Sequence, residues 1–260
     1  MTTVYPGPTV SRSCALNILA TSAAFRPARR EGLKPSPVVE YAIELAEVSG
    51  RRPKVCMMHT ALGDDSRWIA MSYAAFAGHR PDVELSHLAL FPMPNVEDPR
   101  AHLLEQDVVW VGGGSVANLL AVWRVHGLDE VFREAWEAGV VLTGVSAGSL
   151  CWHVGGTTDS FGPDLRLVTN GLGLLPYSNT PHYDSEEQRR PLYQSLVASG
   201  ELPTGFATDD GVGVHYRGTE FVEAVSDRPD AYAWRVEAAV SGDDAGVLET
   251  RITPRRLDQP

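Results

Sequence analysis

The chain has 260 residues, 43% of them hydrophobic, enough to bury a full core, and α/β domains of this size commonly stay undivided. A formal net charge of -11 at pH 7 argues against a general binder of nucleic acid or anionic membrane, since polyanions would repel it at long range. No apolar run reaches bilayer-spanning length, and the amino terminus MTTVYPGPTVSRSCALNILA lacks the charged, apolar and small-residue order of a secretion signal, so a single cytoplasmic domain over 1–260 is expected.

Taken in order, residues 1–35 are rich in Pro, Arg and Ser and read as a loop or arm, with CALNILAT as a short candidate strand. SPVVEYAIELAEV, Ser36 to Val48, has helical spacing, Ser36 as N-cap and Pro37 at the first helical position. PKVCMMHTA reads as a buried strand, ALGDDSRW as the loop after it, and a helix runs from about Ser66 to Gly78. VELSHLALF is a second strand, PMPNVEDP a proline-studded loop, and EDPRAHLLEQ a short helix. Beyond the central region, LRLVTNGLGLLP suggests irregular strands, and SEEQRRPLYQSLVASG a helix with Pro191 marking a kink or a late start. TGFATDDGVGVHYRGTEFVEAVSDRPDAYAWRVEA alternates like terminal hairpins, and the tail after about Ser241 carries no functional signal. Alternating strands and helices predict an α/β fold, a mostly parallel central sheet with helices on both faces.

The rest is organised around Asp107 to Trp152, DVVWVGGGSVANLLAVWRVHGLDEVFREAWEAGVVLTGVSAGSLCW. VVLTGV reads as a strand buried on both faces, and SAGSLCW switches at once to small residues with helical spacing. Gly144, Val145, Ser146, Ala147 and Gly148 match the glycine-x-serine-x-glycine pattern of a nucleophile elbow, which lifts the serine hydroxyl clear of the sheet's carboxyl end. The turn Gly112, Gly113, Gly114 also follows a predicted strand, so it and Ser146 are expected to share one crevice. The oxyanion of an attacked carbonyl would take one N–H from Ala147 and another from Gly113 or Gly114. A phosphate cradle is disfavoured, because no Lys-Ser or Lys-Thr follows the glycines.

A serine needs a base, and the base needs an acid. Of eight histidines, His182 stands in a Pro-His-Tyr turn after a predicted strand and is the candidate base; His59 and His153 lie near strand ends or the elbow. Cys14, Cys56 and Cys151 have neither a paired framework nor metal-ligand spacing; Cys56 and Cys151 read as small buried apolar residues, and no metal or cofactor is implied.

TGVSAGSLCW, the upstream VVWVGGGSVANLLAVW, the downstream GGTTDS and the Pro-His-Tyr turn, in that order over about a third of the chain, resemble dipeptidase E and its relatives, the serine peptidases that include cyanophycinase. The resemblance implies a fold like the class I glutamine amidotransferase domain with serine in place of cysteine. It also implies Ser146 as nucleophile, His182 as general base and Asp159 as orienting acid. Asp159 is also good turn chemistry in Thr-Asp-Ser-Phe-Gly, and Asp164, Asp184 and Glu186 are rival acids. Two departures stand out: Ser115 and Val116 follow the glycines where the family reads Asn-Thr, and GTTDS has no spacer before its aspartate. The implied substrate is a short peptide with an amino-terminal aspartate, whose carboxylate needs a cation. Arg189 and Arg190 are candidates, against a solvated helix face pairing with Glu186 and Glu187; the Asp209 to Gly211 turn could line or close the pocket. A cyanophycinase-like or isoaspartyl peptide hydrolase and a non-catalytic binding module are the alternatives. The expected partner is a small peptide, with no nucleic acid and no membrane, and a homodimer is left open.

Overall fold

The computed structural model describes residues 15–28, 32–239 and 246–257; Cys14 lies outside them. In chain order come β1 (Asn17–Thr21), β2 (Phe25–Pro27), β3 (Leu33–Pro35), α1 (Pro37–Glu44), β4 (Lys54–Met58), α2 (Ser66–His79), β5 (Glu84–His87), α3 (Pro99–Leu104) and β6 (Val108–Val111). α4 (Val116–Val125), α5 (Leu128–Glu137), β7 (Val141–Val145) and α6 (Ala147–Leu150) complete the first half. The second half holds β8 (His153–Thr158), β9 (Arg166–Val168), β10 (Leu175–Pro181), α7 (Arg189–Ala198), β11 (Gly205–Thr208), β12 (Val212–Arg217), β13 (Glu220–Ser226), β14 (Ala233–Ala238), β15 (Val247–Ile252) and β16 (Arg255–Arg256).

An eight-stranded sheet has the order β16-β13-β12-β1-β7-β6-β4-β5, and its run from β1 to β5 is parallel throughout. Alternation along the strands explains why both faces need helices. Val55 and Met57 of β4, with Val108 and Trp110 of β6, pack with Val39 and Ile43 of α1 and Phe76 of α2. Their neighbours Cys56, Met58, Val109 and Val111 face the other way, toward Leu119, Leu120 and Trp123 of α4 and Phe132 of α5. Under the elbow, the rings of Trp123 and Phe132 lie 4.3 Å apart and each is within 6 Å of Trp152. The α/β class and the mostly parallel sheet are as expected, and Cys56 and Cys151 are both buried.

The candidate strand in CALNILAT is present as residues 17–21, fully buried at the heart of the sheet, parallel to β7 and antiparallel to β12, so the arm expected over 1–35 does not extend over them. Two other expectations are corrected. The chain after the elbow builds a second, six-stranded sheet, order β15-β14-β11-β10-β8-β9. Its strand His153–Thr158 carries no apolar alternation in Gly-Gly-Thr-Thr, so the sequence pattern does not mark it. Of the expected terminal hairpins, β12 and β13 do pair antiparallel, but β11 runs parallel to β10 instead of folding back on β12. Pro191 is the third residue of α7, a late start rather than a kink, since first-turn N–H groups have no intrahelical acceptor to lose.

The short helix α6 is the wedge between the two sheets, touching β1, β6 and β7 on one side and β8 and β10 on the other. Ser149 Oγ donates to Asn179 Oδ1 at 3.0 Å, and Asn179 Nδ2 in turn donates to the Phe206 carbonyl, so the elbow helix is pinned to both central strands of the second sheet. Among the described residues, no helix is long and apolar enough to cross a membrane.

Candidate active site

Ser146 joins β7 to α6 with φ 58° and ψ -113°, a backbone region that non-glycine residues enter only under constraint. The constraint is visible in its neighbours. A Cβ on Gly148 would come within 2.2 Å of the Val111 carbonyl oxygen, and one on Gly144 within 2.5 Å of it, so only glycines let the helix start this close to β6. The glycine turn then closes over the serine: a Cβ on Gly113 would sit 3.1 Å from Ser146 Cβ and 3.8 Å from its Oγ. Gly112 and Ser115 donate to the Met58 and Ala61 carbonyls, which fixes the turn at both ends. Between them, Gly113 and Gly114 donate to nothing among the described residues, and Ala147 opens a helix whose first N–H groups have no acceptor within it. The Ser146 hydroxyl thus stands beside the glycine turn and the start of α6, where Gly113, Gly114 and Ala147 carry undonated N–H groups.

His182 follows β10 and is also a non-glycine residue with φ 58°. Thr21 at the end of β1 and Ser22 just after it tie it to the elbow: Ser146 N donates to the Thr21 carbonyl at 3.1 Å, and His182 N donates to Ser22 Oγ at 3.0 Å. Ser22 Oγ also lies 2.7 Å from Thr208 Oγ1, so one hydroxyl at the carboxyl end of β1 splices together the ends of β10 and β11. Ser146 Oγ itself has no hydrogen-bond partner among the described residues, a looseness common in unliganded sites.

The acid beside the histidine is not Asp159. His182 Nδ1 lies 2.6 Å from Asp210 Oδ1, and this hydrogen bond, more than the nearby positive charges, holds the Asp210 carboxyl below its ordinary range despite partial burial. Register explains the pairing: Pro181 of β10 lies opposite Thr208 of the parallel β11, so the residues just beyond each strand emerge side by side. Asp159 is exposed in the turn after β8, where its carbonyl accepts from Gly162 N, and it lines a surface hollow with Glu186 and Gln188. The rival carboxylates are engaged elsewhere: Asp184 Oδ1 accepts from Asp210 N at 2.8 Å and so braces the turn, Glu186 pairs with Arg189, and Asp164 is exposed. Asp209 points away from the histidine and accepts from Tyr232 N and Trp234 Nε1. An Asp-Asp-Gly turn after an apolar strand was the available signal for Asp210, but it depends on knowing that the strand is parallel to the one bearing His182.

Arg189 and Arg190 are both committed to the fold. Arg189 is buried, with Nη1 donating to the Thr157 carbonyl at 2.7 Å and Nε to Glu186 Oε2 at 2.8 Å. Arg190 pairs with Glu249 and lies over the rings of Trp234, 4.6 Å away, and Tyr183. Arg189 thus pairs with Glu186, the alternative weighed against a substrate contact, while the partner of Arg190, Glu249, comes from β15 in the carboxyl-terminal tail.

On the side of Ser146 facing α2 lies a cavity of about 210 Å³, lined by Phe25, His59, Leu62, Trp68, Trp110 and the glycine turn. Burial lowers the His59 pKa to about 4, so its ring is neutral at neutral pH. Ser72 Oγ lies 2.9 Å from the Trp68 carbonyl and 3.0 Å from His59 Nε2, which holds the ring with Nδ1 facing Gly112. His153 and His215 are likewise buried, with pKa values lowered to about 3 and about 4, mainly by burial.

These three histidines set an acid limit on stability. Each takes up a proton at about 6.5 when unfolded, but only near 3 to 4 when folded, so below about pH 6.5 the unfolded chain binds more protons. Stability is then complete above that pH and falls as the pH drops through 6.5 toward 4. Thermal unfolding at pH 7, 5.5 and 4 should show a lower Tm at each step, and a flat Tm over this range would contradict neutral burial of these rings.

A strained serine between a parallel strand and a helix, with a histidine-carboxylate pair at the neighbouring strand ends, is the architecture of a nucleophile-elbow hydrolase. The profile of peptidase family S51 matches residues 36–224, which include Ser146, His182 and Asp210. The chain is 43% identical over 188 residues to the uncharacterized peptidase YgaJ of Bacillus subtilis, covering 72% of this chain and 80% of that one. It is 28% identical over 172 residues to peptidase E of Shewanella denitrificans, covering 64% and 66% of the two. Among solved structures, a peptidase from an acI-B1 Actinobacterium superposes with a TM-score of 0.65 at 15% identity, over 92% of this chain and 94% of that one, a likeness of fold. The chain belongs to peptidase family S51 and is a peptidase of the peptidase E type.

Proposed function

We propose that the chain hydrolyses short peptides through an acyl-enzyme on Ser146, with His182 as general base and Asp210 as the carboxylate that orients it. The observation that carries this reading is the 2.6 Å contact of His182 Nδ1 with Asp210, joined through Ser22 to the same strand end that holds the elbow. With Nδ1–H donated to Asp210, Nε2 is the ring's free acceptor and takes the Ser146 proton as Oγ bonds to the scissile carbonyl carbon. The carbonyl oxygen, now an anion, is received by N–H groups of the glycine turn and Ala147. The C–N bond breaks as His182 passes the proton to the leaving amine, and a water activated by the same nitrogen then releases the acid and restores Ser146.

An amino-terminal aspartate, the preference implied by the family resemblance, needs a cation near the acyl side. Arg189 and Arg190 are spent on the fold, and among the described residues no arginine or lysine lines the cavity beside Ser146. The machinery is therefore tested apart from specificity. A fluorophosphonate should label Ser146 in the folded protein, as read by peptide mass spectrometry, and His182→Ala should abolish labelling; a folded protein whose Ser146 stays unlabelled would sink the reading.

A further inference from the structure

We infer that the cavity beside Ser146 is the pocket for the acyl residue of the substrate, and that it selects a large apolar side chain at the amino end of a short peptide rather than an aspartate. The inference rests on the reading of Ser146 as nucleophile and adds to it the substrate class.

The lining is the first argument. The aromatic walls are Phe25 from β2, Trp68 from α2 and Trp110 from β6, and the one titratable group, His59, is held neutral by burial. Leu62 and Trp68 stand at the opening, large apolar side chains 42% and 39% exposed among the described residues. A carboxylate entering this space would lose its hydration and find no cation among the described lining residues. An apolar group would gain by the same transfer. Size agrees: a dry apolar cavity of about 150 Å³ already accepts a benzene ring, and this one measures about 210 Å³.

The side of the scissile bond follows from the proton path. The leaving amine must receive its proton from His182, so it lies toward the β10 and β11 ends. None of the residues after those strands lines the cavity, which is built instead from the glycine turn, the start of α2 and β2. The cavity is therefore on the carbonyl-oxygen side of Ser146, away from the base, where the acyl residue's side chain goes.

The test is hydrolysis of Phe-Ala, Leu-Ala, Asp-Ala, Ala-Ala and Ala-Phe by wild type, Trp68→Ala and Trp68→Phe, beside fluorophosphonate labelling of Ser146. Phe-Ala and Leu-Ala should exceed Asp-Ala in kcat/KM by about tenfold or more, the discrimination that an apolar pocket supplies. Trp68→Ala should lower the ratio of Phe-Ala to Ala-Ala by about tenfold, chiefly through KM, and Trp68→Phe should restore most of it. Asp-Ala cleaved as well as Phe-Ala, or Ala-Phe preferred to Phe-Ala, overturns the inference. Should no dipeptide be cleaved while Ser146 is labelled, calorimetry on Ser146→Ala decides, with tighter binding of Phe-Ala than Asp-Ala supporting the pocket and the reverse overturning it. An unlabelled Ser146 with no cleavage removes the catalytic reading and the pocket with it.

Discussion

Ser146→Ala is expected to lose peptide hydrolysis by about 10⁵-fold to 10⁶-fold in kcat while remaining folded. Both halves of that expectation have a structural cause. The hydroxyl has no hydrogen-bond partner among the described residues, so its removal leaves no buried group unsatisfied. The unusual backbone at φ 58° is imposed by the approach of α6 to Val111 and not by the side chain, and alanine suffers that backbone no more than serine does. The Tm and circular dichroism of the variant should match wild type. On the proposed mechanism it loses the oxygen that bonds to the scissile carbon, while the donors of the glycine turn and Ala147 remain and sustain only the residual rate over water. A variant that keeps more than a hundredth of the wild-type kcat would show that water, not Ser146, attacks the peptide.

The features that could be read from sequence are those whose geometry is enforced locally. A nucleophile elbow needs its glycines within two residues of the serine, and Gly144 and Gly148 announce Ser146 because the packing that demands them lies in the same few residues. Gly112 to Gly114 are legible for the same reason, following directly on a buried β-branched strand. His182 was within reach because a Pro-His-Tyr turn ends a strand whose carboxyl edge faces the loops. Asp210 was not, since its role depends on a parallel pairing of β10 with β11 that only a crossover through α7 allows, and nothing in TGFATDD distinguishes a parallel neighbour from a hairpin arm. The two arginines failed for a related reason. A guanidinium on a helix looks free until the partner from a distant strand is known, and Glu249 is 59 residues from Arg190. The first strand was legible as the short candidate CALNILAT, but not its place at the centre of the sheet, where Thr21 and the following Ser22 bind the backbones of Ser146 and His182 to one place.

The assignment of the acid separates most sharply by paired substitution. Asp210→Asn should lower kcat by about 10⁴-fold, with little change in KM, because an amide of the same shape no longer fixes the imidazole. If the amide turns its NH₂ toward Nδ1, the ring proton moves to Nε2, which then cannot accept from Ser146; if it turns its oxygen, the hydrogen bond survives without the charge that stabilises the imidazolium. Asp159→Asn touches an exposed turn carboxylate away from the histidine and should leave kcat within about threefold, as surface changes outside a network do. The double variant Ser146→Ala with Asp210→Asn should be no slower than Ser146→Ala alone, because members of one proton-transfer unit are not additive. The reverse pattern, with Asp159→Asn crippled and Asp210→Asn active, would return the orienting role to Asp159. It would also mean that the turn after β8 moves toward His182 when substrate binds, since in this structure the hydrogen bond at Nδ1 is already taken by Asp210.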